Sequence, residues 1–156
     1  MTKVRKCSMQ EILNQVAPVL AISCAGVFFM SALLTGFWKF SCMMRSSECK
    51  APHYVDIAHR ASLMYAYGAI LVAVFAYFSV FSSFVNTLAT AVLMLFFALA
   101  IVKYIVAGRA NKTNNQFRDS ANPKADQMLL LIVGLSETLG FGVLLFGFAL
   151  RVIRDS

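Results

Sequence analysis

The most informative reactive side chain in this sequence is a carboxyl group within an apolar segment. Glu137 is the single charged residue between Met128 and Leu150. A carboxylate inside a bilayer costs several kcal/mol unless it is paired, protonated or hydrated, so such residues are usually functional. A protonated glutamic acid that makes one interhelical hydrogen bond is the structural alternative. We therefore predict Glu137 as a catalytic acid or base.

Two phenols are predicted to lie at a similar depth. Tyr65 and Tyr67 follow His59 by six and eight residues, which is roughly 9 and 12 Å along a helix that rises about 1.5 Å per residue. Glu137 lies nine residues into its own segment, roughly 13 Å from the start by the same rise. This spacing predicts a phenol–carboxylate pair inside the protein.

A histidine next to an apolar segment is a possible iron ligand. The neutral imidazole of His59 can bind iron, and Asp56, three residues earlier, could fix its tautomer. His53 is six residues away and cannot bind the same iron from the opposite side on one helix. An ordinary histidine at the membrane interface is the alternative to ligation.

The amino-acid composition indicates that these residues belong to a membrane protein. The chain has 156 residues, of which 60% are hydrophobic and 13% charged, with a mean hydropathy of +0.72. Soluble domains are about 25% charged, so this is a membrane protein with one domain, residues 1–156. The net charge of +7 comes from Lys and Arg beside apolar segments, where they orient the chain and contact lipid headgroups. We expect no nucleic-acid partner.

Uncharged segments of about 20 residues are long enough to cross a bilayer as helices. The apolar runs do not alternate, as the strands of a membrane barrel would. The predicted fold is therefore all-α, an integral membrane four-helix bundle. A tight turn is expected around Phe81–Phe84. The predicted helices are about 16–38, 60–81, 84–106 and 128–150, and the polar loops are 39–59 and 107–127.

Charge distribution predicts the orientation and the position of a site. Nine of the fourteen Lys and Arg flank the two long loops, so these loops are expected in the cytoplasm, with the protein in a bacterial inner membrane. A disulfide between Cys42 and Cys49 would indicate the opposite orientation, whereas free thiols fit a reducing cytosol. The helix ends at these loops gather several polar and aromatic residues, namely Trp38, Lys39, His59, Arg60, Lys103 and Tyr104.

The segment around His59 resembles a known family. Asp56-Ile-Ala-His59-Arg-Ala-Ser-Leu-Met-Tyr65, preceded by Leu33-Leu-Thr-Gly36, is similar to the small four-helix membrane isomerases, styrene oxide isomerase and hydroxylaminobenzene mutase. Length and hydropathy are similar over nearly the whole chain, although the motif is short. In styrene oxide isomerase the matching histidine binds haem b between the subunits of a trimer. Ferric haem there acts as a Lewis acid on an epoxide oxygen, and the resulting cation rearranges to an aldehyde.

The resemblance implies roles for residues of this chain. His59 would be the axial ligand, with Arg60 beside it at the cofactor. Tyr65 would take the place of a substrate-orienting Asn, and Tyr104 that of a tyrosine in helix three. Two departures are the change of that Asn to Tyr and the lack of a helix-three carboxylate, since Glu137 is in helix four. The haem site can therefore be shared while the substrate and reaction differ.

The predicted function is that of a haem-dependent isomerase-like protein, homo-oligomeric and by resemblance trimeric, acting on a small hydrophobic substrate that is epoxide-like or aromatic. Two alternatives remain. A small transporter could use Glu137, although in small multidrug transporters the membrane glutamate is in the first helix. The other alternative is a non-enzymatic accessory or assembly subunit. This function explains all of these sequence features except the burial of Glu137 near Tyr65 and Tyr67.

Overall fold

Four long helices form the part of the chain that the structure describes. This computed structural model describes residues 15–115 and 122–155, and no strand occurs in these ranges. Each helix is long and apolar enough to cross a membrane. The predicted all-α membrane bundle with one domain is therefore confirmed. The helices are α1 Val16–Arg45, α2 His53–Phe78, α3 Ser83–Ala110 and α4 Pro123–Asp155.

The helices extend beyond the predicted spans, which counted only the residues needed to cross the hydrocarbon. The first loop was predicted over 39–59 and comprises only residues 46–52. Pro52 is the N-cap of α2, and Pro123 is the first residue of α4, a position that suits proline because its missing N–H has no helical partner. Of the loop predicted over 107–127, residues 116–121 lie outside the described ranges.

A four-residue turn joins α2 to α3 slightly earlier than predicted. It covers residues 79–82, before the expected centre at Phe81–Phe84. The hydroxyl of Ser79 accepts a hydrogen bond from the Phe81 N–H at 3.3 Å, and the hydroxyl of Ser82 accepts one from the Val85 N–H at 3.4 Å. The second bond caps the start of α3.

Alanine side chains bring α1 and α2 into close contact. Ala21 and Ala32 of α1 and Ala58 and Ala69 of α2 have no exposed surface. Small residues permit helix backbones to approach closely in lipid, where van der Waals packing drives helix association. The α1–α2 pair is accordingly the most extensive helix contact in the bundle.

In contrast, α4 is attached loosely. Only Leu144 and Gly147 are buried along this helix, and its principal contacts are with α2 and α3. Gly140 lies against Leu93 and the Ala89 carbonyl of α3. The half of α4 that follows Pro123 is mostly exposed, and this leaves space between it and α3.

The bundle has two distinct ends. The end of α1, the start of α2, the end of α3 and the start of α4 lie together, and we call this the loop end. The short turn between α2 and α3 lies at the opposite end. Cys42 and Cys49 both lie near the loop end and are free thiols in this structure.

Candidate functional site

A cavity of about 480 Å³ lies between α2, α3 and α4 towards the loop end. This volume falls within the range of about 300–1,000 Å³ that is typical of small-molecule sites. Tyr65, Tyr104 and Glu137, the three predicted catalytic residues, all line it. The remaining lining residues are Phe96, Leu99, Ala100, Val102, Lys103, Asp126, Leu129, Leu130, Val133 and Gly134.

Helical spacing explains why these side chains meet. Asp126, Leu130, Val133 and Glu137 follow each other at intervals of three or four residues, so they share one face of α4. Sequence reasoning missed Asp126 because helix four was predicted to begin at 128. Its distance of eleven residues from Glu137 is about three helical turns, and that spacing was the signal that could have found it.

The carboxyl group of Glu137 faces this cavity without a described partner. Its Oε1 atom is buried and has no hydrogen-bond partner among residues 15–115 and 122–155. Within the same ranges, no hydrogen bond joins Glu137 to Tyr65, although both line the cavity. Tyr65 and Glu137, the predicted phenol–carboxylate pair, therefore line the same cavity but do not form a direct hydrogen bond. Buried polar groups usually have a partner, so an unpaired carboxyl oxygen marks a place for one.

Aromatic stacking fixes the two tyrosines of the cavity. The Tyr65 ring stacks on Phe97 of α3 with a centroid distance of 4.5 Å, and the Tyr104 ring stacks on Tyr54 at 6.4 Å. Tyr67 is 64% exposed and does not line the cavity. Tyr65 is therefore the phenol that shares the depth of Glu137. Phe97 has no distinguishing signal in a sequence with fourteen phenylalanines.

His59 is held by α1. Its Nδ1 lies 2.9 Å from the carbonyl oxygen of Ala32. Because a carbonyl oxygen only accepts, Nδ1 is the donor in this bond, and Nε2 is the ring nitrogen that is left for another partner. The ring also covers Gly36, where a Cβ would lie 3.1 Å from Cε1 of the imidazole.

The expectation that Asp56 fixes the tautomer of His59 is wrong. The Asp56 carboxylate forms an ion pair with Lys39 of α1 and a second one with Arg60 at 3.6 Å. These ion pairs engage the Asp56 carboxylate. The backbone carbonyl of Ala32, and not Asp56, accepts the hydrogen bond that fixes the tautomer of His59. Arg60 remains largely exposed next to His59.

Within one chain, His59 and the cavity lie on different faces of α2. Six residues separate His59 from Tyr65, and at about 100° per residue their side chains point about 120° apart. His59 and Arg60 are not among the cavity residues. The structure thus brings together Tyr65, Tyr104 and Glu137 and places the predicted cofactor residues at the α1–α2 surface.

The other residues expected to gather at the loop end lie in different places. Lys103 lines the cavity with Tyr104, whereas Lys39 pairs with Asp56. Trp38 lines a separate, open cavity of about 560 Å³ with Cys42 and Arg109. The residues predicted to form one cluster at the loop end therefore lie in three separate groups.

Comparison of the chain with protein-family models, curated proteins and solved structures gives no match. The similarity to the membrane isomerases is confined to the segment around His59 and to length and hydropathy. The geometry of the cavity and of the His59 ring stands independently of it.

Proposed function

We propose that this protein is a membrane-embedded isomerase-like enzyme that acts on a small hydrophobic substrate, epoxide-like or aromatic. The observation that supports the proposal best is that Tyr65, Tyr104 and Glu137 line one mainly apolar cavity. They come from three different helices, α2, α3 and α4. Convergent polar groups in an apolar cavity are typical of ligand sites.

The cavity residues have separate tasks in such a reaction. The side chains of Phe96, Leu99 and Leu130 bind the hydrocarbon part of a substrate and exclude water. The hydroxyl groups of Tyr65 and Tyr104 orient a substrate oxygen by hydrogen bonding. Glu137 transfers a proton to or from the reacting group.

The surroundings of His59 fit an axial ligand for haem b. Metal-binding histidines usually donate their second ring N–H to a carboxylate or a backbone carbonyl, and His59 donates Nδ1–H to Ala32. Nε2 is then the nitrogen that would hold the iron, and the largely exposed guanidinium of Arg60, which pairs with Asp56 at 3.6 Å, would also contact the carboxylates of the cofactor. When bound, ferric haem supplies a Lewis acid.

The proposed enzyme is a homo-oligomer, by resemblance a trimer. His59 and the Tyr65 cavity lie on different faces of α2, so a second copy of the chain is needed for both to serve one substrate. Many large apolar side chains are exposed on the single chain, Phe37, Phe84 and Ile153 among them, and these contact lipid or neighbouring copies. We place the protein in a bacterial inner membrane with the loop end in the cytoplasm.

A small transporter that uses Glu137 is the second candidate function. It is favoured by the buried, unpaired Oε1 atom, because intramembrane carboxyl groups often relay protons in transporters. A transporter releases its substrate unchanged on the other side of the membrane, whereas an isomerase converts it.

Chemical conversion in reconstituted vesicles tests the proposal. Purified protein supplied with haem is incubated with an aryl epoxide, and the aldehyde is quantified by chromatography. We expect aldehyde formation that is lost in His59→Ala and retained in Thr138→Val, since Thr138 is exposed and donates its hydroxyl to the Gly134 carbonyl of its own helix. Conversion no faster than in vesicles without protein would reject the proposal.

A further inference from the structure

The carboxyl group of Glu137 has no counter-charge from the described chain. None of the ion pairs within residues 15–115 and 122–155 includes it. Lys103 lines the same cavity, but its side chain makes no ion pair with Glu137. Charged groups at membrane depth are normally paired, so an ionised Glu137 carboxylate would need a cationic partner from outside the described ion pairs, which a bound ligand could supply.

The walls around Glu137 suit an organic cation. Three aromatic rings, those of Tyr65, Phe96 and Tyr104, line the cavity. Aromatic faces attract ammonium groups, most strongly where water is excluded. The other walls are aliphatic, with Leu99, Leu129 and Val133 among them, and these favour a hydrocarbon group next to the charge.

The cavity is large enough for such a cation. A volume of about 480 Å³ accommodates a ligand with one aromatic ring and a short chain, since small-molecule sites are about 300–1,000 Å³. A small arylalkyl amine therefore matches the charge, the aromatic walls and the volume together.

We infer that this cavity binds small arylalkyl ammonium ions, with the ammonium group on the Glu137 carboxylate and the aromatic ring against Phe96 and Tyr65. The inference rests on the proposed function only in taking the Tyr65–Glu137 cavity as the ligand site. It requires neither haem nor turnover. For an isomerase such amines are competitive inhibitors, and for a transporter they are substrates.

Three ligands of nearly equal shape and different charge test the inference. 2-Phenylethylamine, 2-phenylethanol and 3-phenylpropanoate are titrated into the purified full-length protein by calorimetry, with protein-free micelles as the blank for partitioning. Hydrogen bonds to charged groups contribute about 1.5–3 kcal/mol, so the amine should bind about 10- to 100-fold more tightly than the alcohol. The carboxylate should bind most weakly. Equal binding of amine and alcohol overturns the inference.

Two variants locate the ammonium group. Glu137→Gln should remove the preference for the amine and leave alcohol binding unchanged. Asp126→Asn is the matched control, because Asp126 is the other acidic residue that lines the cavity. Loss of the preference in Asp126→Asn alone would place the cation at that residue and reject the inference. If Glu137→Gln does not fold, the wild-type comparison of amine with alcohol still decides.

A third variant separates this inference from the proposed function. His59→Ala should lose the conversion of aryl epoxides and keep the preference for the amine, because His59 is outside the cavity. An amine preference without epoxide conversion in the wild type would reject the isomerase and keep the ammonium site. Epoxide conversion without an amine preference would reject the ammonium site and keep the isomerase.

Discussion

His59 of α2 and Ala32 of α1 are joined by a hydrogen bond of 2.9 Å between the imidazole Nδ1 and a backbone carbonyl. Because the acceptor is part of the main chain, no side-chain substitution at Ala32 removes it directly. The position of the ring depends instead on the space that Gly36 leaves one turn later. A Cβ at this position would lie 3.1 Å from Cε1 and 3.2 Å from Nδ1 of His59.

Gly36→Val should therefore displace the His59 ring and weaken haem binding. Loss of the groups that orient a metal ligand typically costs about 10- to 100-fold in affinity, and we expect a decrease of that order. Haem titration followed by visible absorption measures it. Gly26→Val on the same helix is the control, since a Cβ at Gly26 meets no atom within 4 Å. Equal affinity in both variants would show that Gly36 does not position the ring.

Glu137→Gln should distinguish a proton-transferring carboxyl from a structural one. Gln keeps the volume and the hydrogen-bonding capacity of a protonated acid but cannot transfer its proton. We expect activity on an aryl epoxide to fall by about 10²–10⁴-fold, the typical effect of losing a general acid or base, with assembly unchanged by size-exclusion chromatography. If Glu137→Gln is fully active and only Glu137→Leu disrupts the protein, Glu137 is a packing residue.

Gly108→Ala should destabilise the loop end. A Cβ on Gly108 would lie 3.1 Å from the Trp38 ring and from the Val55 backbone nitrogen, and backbone atoms cannot move aside easily. We expect a loss of about 1–3 kcal/mol, as for other overpacked sites, seen as earlier thermal unfolding in detergent. Gly142→Ala is the control, because its Cβ meets no atom within 4 Å and alanine favours helix by about 1 kcal/mol. Similar unfolding of the two variants would contradict this account.

The four helices could be predicted from the sequence because hydropathy and length alone decide them. The uncharged segments indicate their number and approximate positions. Helix ends were less predictable. Polar residues such as Arg45 and His53 continue the helices beyond the hydrocarbon, so the absence of charge marks the bilayer and not the helix end.

The cavity could be predicted only in part. The cost of burying a carboxylate identified Glu137, and its depth suggested Tyr65, which lines the same cavity. The surroundings of His59 could not be predicted, because it contacts the backbone carbonyl of Ala32. Every residue has a backbone carbonyl, so this contact leaves no signal in the sequence. The ion pair of Asp56 with Lys39 likewise depends on which faces of α1 and α2 meet.

Cysteine labelling in intact cells should establish the orientation of the bundle. In a functional variant without native cysteines, an impermeant reagent applied from outside should label a cysteine introduced at Asp155 and miss one at Thr113. The physical reason is the excess of Lys and Arg flanking the long loops, which favours their retention in the cytoplasm. The reverse pattern would show that the N-terminal cluster of Lys3, Arg5 and Lys6 determines the orientation.

The visible absorption spectrum of the purified protein tests the central claim most directly. With haem supplied during expression, the wild type and His53→Ala should both show a Soret band, because His53 is exposed. The His59→Ala variant should lack this band, because it removes the nitrogen that we propose as the iron ligand. A wild-type protein without a Soret band, or a Soret band of equal intensity in His59→Ala, would contradict the account.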